Sequence, residues 1–483
     1  MTAMRRASAT SISALLAFGL SACGFAGPSE SAGGPNVLLI TVDTLRADRL
    51  GFMGHERDTS PHMDRLAERG VTFERAYAPS PWTLPSMASI HTGLYPSSHG
   101  LKRPKDAVPP EARTLAEVLA QAGYRTDSIV SNPIVHPRFG HSQGFASFDT
   151  EDAKGHEHVS TPGITERALG LLDQYAQASS GEPRERQPFF LSLLYFDPHY
   201  DWRSHGLGFA AEGAVGRVTG DESIEHLRDL AAGEGGMTDA EVQQLVDCYD
   251  EEIAFTDAGI GELLDALERL GLDEDTVVVL TADHGEEFLE HGWLGHTRFL
   301  YEGMIHVPMV VCDPREAASH GQRYATPVST VSVMPTVLDL LGMDPELHGP
   351  DEPSLAALVR DPATEVLDPR IDGVVFSEVD FVPAEERNMA KVAHLLGVVG
   401  QGGKLIRDAG TKELELYDLF VDPGERVNLA ADAGRGDVRR DLRAELDAWQ
   451  AACAERALPR HSGHWSNEEM DELSKLGYLD SGD

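Results

Sequence analysis

The chain is poor in cysteine and in basic residues, and each shortage excludes a class of protein. It has 4 cysteines in 483 residues, none of them in a CxxC pair, so neither a disulfide framework nor a cysteine zinc cluster is predicted. Lys and Arg total 40 against 79 acidic residues, a formal net charge of -39. Because nucleic-acid binding needs clustered Lys and Arg, no nucleic-acid partner is predicted. The acidic excess indicates a solvated surface, and an anionic substrate would need a local cation to overcome the field.

The N-terminal hydrophobic run is too short to span a bilayer, but it has the features of an export signal. Arg5 and Arg6 precede the apolar residues 12–20, and small residues follow. Residues 20–23 (LSAC) resemble the lipobox of bacterial lipoproteins, which implies that Cys23 is lipidated and becomes the mature N-terminus. The alternatives are an ordinary cleaved signal and a chance cysteine.

The lipobox resemblance predicts a lipid-anchored protein of the bacterial cell envelope, on its periplasmic or surface face. The anchor is the only predicted contact with a membrane. Gly24 after the cysteine indicates the outer membrane, by analogy with lipoprotein sorting. The predicted signal peptide is 1–23, and the Gly-, Ser-, Ala- and Pro-rich residues 24–35 are a predicted flexible tether.

Beyond the tether, the composition is ordinary for a globular protein, with 41% hydrophobic and 25% charged residues. Strand-like and helical segments alternate through residues 36–345. This alternation predicts an α/β fold, a mostly parallel sheet sandwiched by helices. Residues 346–369, rich in Pro, Asp and Glu, are a predicted linker. Short strands with glycine turns and a final helix then predict a small C-terminal α+β domain over residues 370–460, followed by a tail over 461–483.

Three apolar runs end in acidic residues followed by polar ones: residues 37–43 (VLLITVD), 189–199 (FFLSLLYFDPH) and 277–284 (VVVLTADH). Such runs are typical of buried parallel strands, and ligands bind at the carboxyl ends of these strands. One shared metal or catalytic site is therefore predicted.

A helix is predicted to begin near Thr83, because Pro85 suits a first helical turn. The threonine hydroxyl would meet free backbone N–H groups and the positive end of the helix dipole, which favour an alkoxide or a bound anion. The alternative is that Thr83 is only the helix N-cap.

Several motifs, taken in chain order, resemble the sulfatase family of the alkaline-phosphatase superfamily. They are 36–48 (NVLLITVDTLRAD), Thr83 with Pro85 and Ser86, 92–93 (TG), 98–100 (SHG), 283–286 (DHGE), 301–302 (YE), 415–419 (ELYDL), 422–423 (DP) and 428–429 (NL). The resemblance implies an alkaline-phosphatase-like fold, with a sulfatase-like catalytic domain over residues 36–345.

Two residues depart from the formylglycine sulfatases. Thr83 stands where those enzymes have the Cys or Ser that is oxidised to an aldehyde, and Met87 stands where they have Arg. Oxidised threonine would give a ketone instead. The chain therefore resembles the branch with a threonine nucleophile, which includes phosphodiesterases and phosphoglycerol and phosphoethanolamine transferases. In that branch a metal-bound threonine attacks phosphorus.

The resemblance implies a metal site formed by Asp43, Thr83, Asp283 and His284. Calcium-binding members often have Asp and Asn where this chain has Thr44 and His284. Losing a carboxylate and gaining an imidazole favours Mn²⁺, Mg²⁺ or Zn²⁺ over Ca²⁺. One divalent ion is expected, and a second metal is the alternative.

His199 and His296, together with Asp197, lie in regions where the family often has a His or Lys. There they would hold the nonbridging oxygens of the substrate or protonate its leaving group. The alternatives are ligation of a second metal and, for the two histidines, a place in a solvated loop.

These features predict a metal-dependent hydrolase of sulfate, phosphate or phosphonate esters with Thr83 as nucleophile, acting on a small-molecule, glycan or lipid ester. The first alternative is a phosphoethanolamine- or phosphoglycerol-type transferase, although such relatives usually carry several transmembrane helices, which this chain lacks. The second is a non-catalytic binding protein on the same scaffold, suggested by Thr83 and Met87. An intact set of metal ligands argues against that role. Substrate specificity is predicted to lie in loops such as 201–238.

Overall fold

The computed structural model describes residues 34–155, 158–178, 187–199, 202–220, 222–361, 373–381 and 393–463. The predicted signal peptide with Cys23, most of the predicted tether and most of the predicted tail lie outside the described residues. Within the described part of the chain, none of the helices combines the length and apolar character needed to cross a bilayer.

The described residues form the following strands and helices. The strands are β1 Asn36–Val42, β2 Val71–Phe73, β3 Ala76–Tyr77, β4 Asp106–Ala107, β5 Arg125–Val130, β6 Ser147–Asp149, β7 Phe189–Tyr195, β8 Thr276–Ala282, β9 Glu287–Phe288, β10 Leu294–Gly295, β11 His306–Val307, β12 Met309–Cys312, β13 Gln322–Tyr324, β14 Val328–Ser329, β15 Val375–Phe381, β16 Ala393–Gly400, β17 Gly403–Asp408, β18 Leu414–Tyr417 and β19 His461–Ser462. The helices are α1 Pro61–Arg69, α2 Thr83–Thr92, α3 Pro96–His99, α4 Leu115–Gln121, α5 Thr161–Ala178, α6 Ile224–Ala232, α7 Asp239–Leu270, α8 Glu302–Ile305, α9 Val333–Leu340, α10 Ala356–Arg360 and α11 Gly436–Arg456.

The main sheet has eight strands in the order β13-β2-β12-β8-β1-β7-β5-β6. Strand β1 is central and runs parallel to both neighbours, with Val42 level with Ala282 of β8 and with Tyr195 of β7. Strand β12 pairs antiparallel with β2 and β8, and the other pairs are parallel. The predicted mostly parallel sheet is therefore confirmed, and the three strands with acidic ends are adjacent and in register.

Local capping explains where the long helix α7 begins and ends. Thr238 and Glu241 form a capping box, in which each side chain accepts a hydrogen bond from the backbone N–H of the other residue. Gly271 ends the helix in the left-handed conformation, with φ 65°, which glycine adopts without strain. The helix buries apolar residues such as Ile253 and Ile260 in the main core.

A second, smaller sheet follows, with the antiparallel order β15-β16-β17-β18. Helix α11 packs on it through Leu442, Leu446 and Trp449, which share a core with strands β16 and β17. The small C-terminal α+β unit is thus present. Part of the predicted linker forms helix α10, whose Leu358 and Val359 are buried in the main core.

A buried ion cluster joins the C-terminal sheet to the part of the chain that carries the main sheet. Lys404 on β17 is fully buried, and its ammonium nitrogen lies 3.1 Å from a carboxylate oxygen of Glu302 and 2.9 Å from one of Glu425. The backbone N–H of Glu302 donates to Glu425 at 2.6 Å. The ammonium group therefore separates two carboxylates that would otherwise repel each other.

We expect Lys404→Met to lower the free energy of unfolding by about 3–5 kcal/mol, because it leaves the buried carboxylate of Glu425 and the partly buried one of Glu302 without their cation. Urea denaturation followed by circular dichroism measures the effect. Lys412→Met is the matched control, since Lys412 is exposed and its ammonium group donates to the backbone carbonyl of Ala409. Equal stability of the two variants would show that the cluster does not stabilise the fold.

Candidate active site at the carboxyl ends of the central strands

Four side chains converge where β1, β8 and α2 meet. Asp43 follows β1, Asp283 and His284 follow β8, and Thr83 is the first residue of α2. All four are fully buried. Because β1 and β8 run parallel and in register, their terminal carboxylates reach the same edge of the sheet. Helix α2 begins at that edge, in agreement with the helix start predicted beside Pro85.

The two carboxylates and the imidazole form a compact cluster of metal-ligand atoms. One ligand atom from each of Asp43, Asp283 and His284 lies within 4.8 Å of the others. Nε2 of His284 is 3.6 Å from Oδ1 of Asp43 and 3.4 Å from Oδ2 of Asp283. Neither of these two oxygens has a hydrogen-bond donor among the described residues.

The electrostatics of the cluster favour a bound cation. Burial, together with the nearby carboxylate of Asp283, raises the pKa of Asp43 well above its usual range. Burial also raises the pKa of Asp283 and lowers the pKa of His284. A divalent cation would compensate the buried negative charge and satisfy the oxygens that lack donors. The donor set therefore fits a divalent metal.

His284 is oriented so that one nitrogen faces the cluster with a lone pair. Its Nδ1 lies 2.9 Å from the carbonyl oxygen of Gly285, an acceptor, so Nδ1 carries the proton. The unprotonated Nε2 lies 3.2 Å from Oγ1 of Thr83. That hydroxyl therefore has a proton acceptor within hydrogen-bond distance, and it lies at the positive end of the α2 dipole.

Asn132 belongs to the site, although the sequence analysis did not single it out. Its Nδ2 lies 2.5 Å from Oδ2 of Asp43 and 3.4 Å from Oγ1 of Thr83. The backbone N–H of Ile134 donates to Oδ1 of Asn132 at 2.9 Å, which fixes the amide orientation. Asn132 closely follows β5, so the strand-end rule applied to Asp43 could have found it.

The backbone after β1 is held in a strained conformation that serves the site. Thr44 has φ 55°, in the left-handed region that β-branched residues rarely adopt. In this conformation its N–H donates to Oδ1 of Asp283 at 3.2 Å. Its carbonyl accepts a hydrogen bond from the hydroxyl of Tyr249 at 2.6 Å. Thr44, predicted to replace a family carboxylate, thus contacts the site through its backbone.

His199 and His296 lie beside the cluster and are buried, so neither is a solvated loop histidine. The His296 ring is 4.6 Å from the ring of His284 and 4.8 Å from that of His199. Nδ1 of His296 lies 3.0 Å from Oε1 of Glu286, a contact that fixes the ring plane. The His199 ring stacks on Phe196 at 4.4 Å.

Asp197 has a different function from the one considered for it in the sequence analysis. Its Oδ2 accepts hydrogen bonds from the backbone N–H of Ser160 at 3.1 Å and from that of Thr161 at 2.9 Å. The hydroxyl of Thr161 also donates to it at 2.7 Å. These residues open helix α5, so the carboxylate caps a helix N-terminus. Its Oδ2 is therefore engaged by the start of this helix.

Comparison with known proteins agrees with this geometry. The Sulfatase family model matches residues 35–343. A second model, N-sulphoglucosamine sulphohydrolase, C-terminal, matches residues 289–452. The chain is 26% identical to the choline-sulfatase of Rhizobium meliloti, over 89% of this chain and 91% of that protein. It is 25% identical to the N-acetylglucosamine-6-O-sulfatase of Bacteroides thetaiotaomicron, over 90% of this chain and 89% of the relative.

A solved structure shows the same fold. The phosphonate monoester hydrolase of Agrobacterium radiobacter superposes with a TM-score of 0.68 at 22% identity, covering 87% of this chain and 96% of that one. The alkaline-phosphatase-like architecture predicted from the sequence is thereby confirmed. The chain belongs to the sulfatase family, a family of sulfuric and phosphoric ester hydrolases within the alkaline-phosphatase superfamily.

Proposed function

We propose that this protein hydrolyses sulfate, phosphate or phosphonate esters by nucleophilic attack from Thr83, without oxidative maturation of that residue. The observation that carries the proposal is the position of its Oγ1, 3.2 Å from the Nε2 lone pair of His284 at the first residue of a buried helix. A threonine that served only as a helix cap would accept a backbone N–H, but Trp82 is the N-cap residue here.

In the proposed reaction, Oγ1 of Thr83 attacks the sulfur or phosphorus atom and the bond to the leaving oxygen breaks. The hydroxyl proton passes to a carboxylate of Asp43 or Asp283, because the Nε2 lone pair of His284 would be engaged by the metal. Asn132 orients the hydroxyl of Thr83 through its Nδ2, 3.4 Å from Oγ1. Water then hydrolyses the covalent ester on Thr83 and regenerates the hydroxyl.

A divalent metal held by Asp43, Asp283 and His284, with Thr83 beside them, would supply positive charge to lower the hydroxyl pKa and neutralise the transferred group. The nitrogen ligand favours Mn²⁺, Mg²⁺ or Zn²⁺ over Ca²⁺. We propose a single ion, because Asp43, Asp283 and His284 are the one such group of possible ligand atoms among the described residues.

His199 and His296 are proposed to act on the substrate rather than on the nucleophile. The His296 ring lies 4.6 Å from the ring of His284, and the His199 ring lies 4.8 Å from that of His296. From there an imidazolium can donate to a nonbridging oxygen or protonate the leaving group. Glu286 keeps the His296 ring in place for this role.

The relatives guide the proposed substrate class. Two of them are a choline-sulfatase and an N-acetylglucosamine-6-O-sulfatase, so small-molecule and sugar esters are the substrates to test first. A panel of aryl sulfate, phosphate, phosphodiester and phosphonate esters then separates sulfuryl from phosphoryl transfer.

We also propose that Cys23 carries a lipid anchor in a bacterial envelope, motivated by residues 20–23 (LSAC).

Thr83→Ala should abolish turnover, on the order of 10⁴- to 10⁶-fold, because it removes the attacking oxygen. Thr83→Ser should retain some activity, since that oxygen survives. Thr92→Ala is the matched control at the other end of the same helix, where the hydroxyl only donates to the carbonyl of Ala88. Acid-quenched turnover followed by peptide mass spectrometry should find the sulfuryl or phosphoryl group on Thr83. Near-normal turnover by Thr83→Ala would mean that water attacks directly.

Asp283→Asn should remove the thermal stabilisation that Mn²⁺, Mg²⁺ or Zn²⁺ gives the wild-type protein, about 2.7 kcal/mol at a metal concentration of 100 Kd. In chelator the same variant should be more stable than wild type, because it relieves the repulsion between two buried carboxylates. Thermal unfolding with and without metal measures both effects. Asp265→Asn is the control, at an exposed ion pair. An undiminished metal effect in Asp283→Asn would contradict the ligand assignment.

Cys23→Ser should release the protein from the membrane fraction and abolish incorporation of labelled palmitate. In the proposed anchor the lipid is attached through a thioether at that sulfur, and serine has no sulfur with which to form one. Cell fractionation in a bacterial host measures membrane association, and Cys248→Ser is the control. An unmodified N-terminus on the mature wild-type protein would exclude the anchor.

A further inference from the structure

The segment after β10 connects the buried site to the protein surface. His296 is fully buried, whereas each of the next three residues, Thr297, Arg298 and Phe299, is partly exposed. The backbone N–H of Thr297 donates to the carbonyl of Pro81 at 3.0 Å, two residues before Thr83. The segment is thus attached beside the start of α2, and its partly exposed residues directly follow the buried His296 along the chain.

Arg298 in this segment packs on aromatic rings instead of pairing with an acid. Its guanidinium carbon lies 4.9 Å from the ring centroid of Trp293 and 5.1 Å from that of Phe299. Among the described residues, no carboxylate forms an ion pair or hydrogen bond with it, and burial lowers its pKa with no acidic neighbour opposing that effect. In a chain with 79 acidic residues, an uncompensated and partly buried arginine beside the site is notable.

A second arginine makes the region more positive. Arg228 of α6 lies 4.9 Å from the same Trp293 ring, and its Nε donates to the carbonyl of Leu294 at 2.9 Å. Burial raises the pKa of Glu286, and the charge of Arg228 opposes that rise, so Arg228 is partly compensated within the site. The indole N–H of Trp293 donates to the carbonyl of His296 at 3.2 Å, which ties this aromatic platform to the buried histidine.

We propose that Arg298 is a specificity residue that binds a second anionic group of the substrate, one that stays on the leaving fragment after the ester is cleaved. The inference rests on the proposed function. A guanidinium matches carboxylate, sulfate and phosphate groups with paired N–H donors, and stacking on Trp293 orients it without neutralising its charge. Because the chain carries a net charge of -39, a local uncompensated cation is what an anionic leaving fragment requires.

The test compares two aryl esters of the same acid, the one that the wild-type protein cleaves best, which differ by one carboxylate on the aryl ring. One is a para-nitrophenyl ester, and the other carries in addition a ring carboxylate, ortho or meta to the ester oxygen. Arg298→Gln should raise KM for the carboxylated ester about 10- to 100-fold, the loss expected for one charge-assisted hydrogen-bonded pair. It should leave kcat for that ester and both constants for the plain ester unchanged within about two-fold.

Two further variants make the result specific. Arg298→Lys should fall between wild type and Arg298→Gln, since it keeps the charge but loses the planar fork. Arg323→Gln removes the same charge from β13 at the edge of the sheet, where Arg323 is exposed and pairs with Glu74, and it should match wild type. Normal turnover of the plain ester shows that each variant is folded.

An equal effect of Arg298→Gln on both esters, or no effect on either, would overturn the role of Arg298 while leaving the proposed hydrolysis intact. Failure of the wild-type protein to cleave any ester would instead overturn the proposed function. In that case, equilibrium binding of the carboxylated ester to wild type and to Arg298→Gln decides the inference, and equal affinities would refute it.

Discussion

The repulsion between two buried carboxylates is the constraint on which the rest of this site depends. Asp43 and Asp283 end adjacent parallel strands in register, and both are removed from water. The fold retains this costly arrangement by surrounding the carboxylates with donors: Asn132 for the first, and the N–H groups of Thr44 and His284 for the second. One oxygen of each carboxylate is left facing His284. The close approach of two carboxylates that destabilises the fold without metal is therefore the geometry that suits a divalent cation.

The same edge of the sheet positions the proposed nucleophile, Thr83. Thr83 opens a short helix whose first turn is buried against the strand ends, and Ser86 one turn later donates to the backbone carbonyl of Asp283 at 2.5 Å. That bond fixes the helix to β8 and therefore fixes the threonine hydroxyl relative to the carboxylates. The proposed attack by the Thr83 hydroxyl requires proximity and orientation of this kind.

Separate elements around the cluster hold His296 and Arg298 in place. Glu286 orients His296, and the segment after it reaches the surface with Arg298 on its aromatic platform. The C-terminal sheet contacts this half of the molecule through Lys404, whose ion cluster includes Glu302, four residues beyond Arg298. The segment between β10 and α8 is thus attached at one end beside the site and at the other to the C-terminal sheet, which keeps Arg298 in a defined place.

The sequence by itself determined the parallel sheet, the strand ends at Asp43 and Asp283 and the helix that begins at Thr83, because apolar runs, helical spacing and capping residues are local patterns. Only the tertiary structure decided which polar groups pair. Asp197 accepts hydrogen bonds at the N-terminus of α5, and Asn132 donates to Asp43 from 89 positions away in the sequence. Arg298 packs on Trp293 and has no acidic partner among the described residues. Such pairings depend on how distant elements pack, and no local pattern encodes the distance between two side chains that meet only in the folded chain.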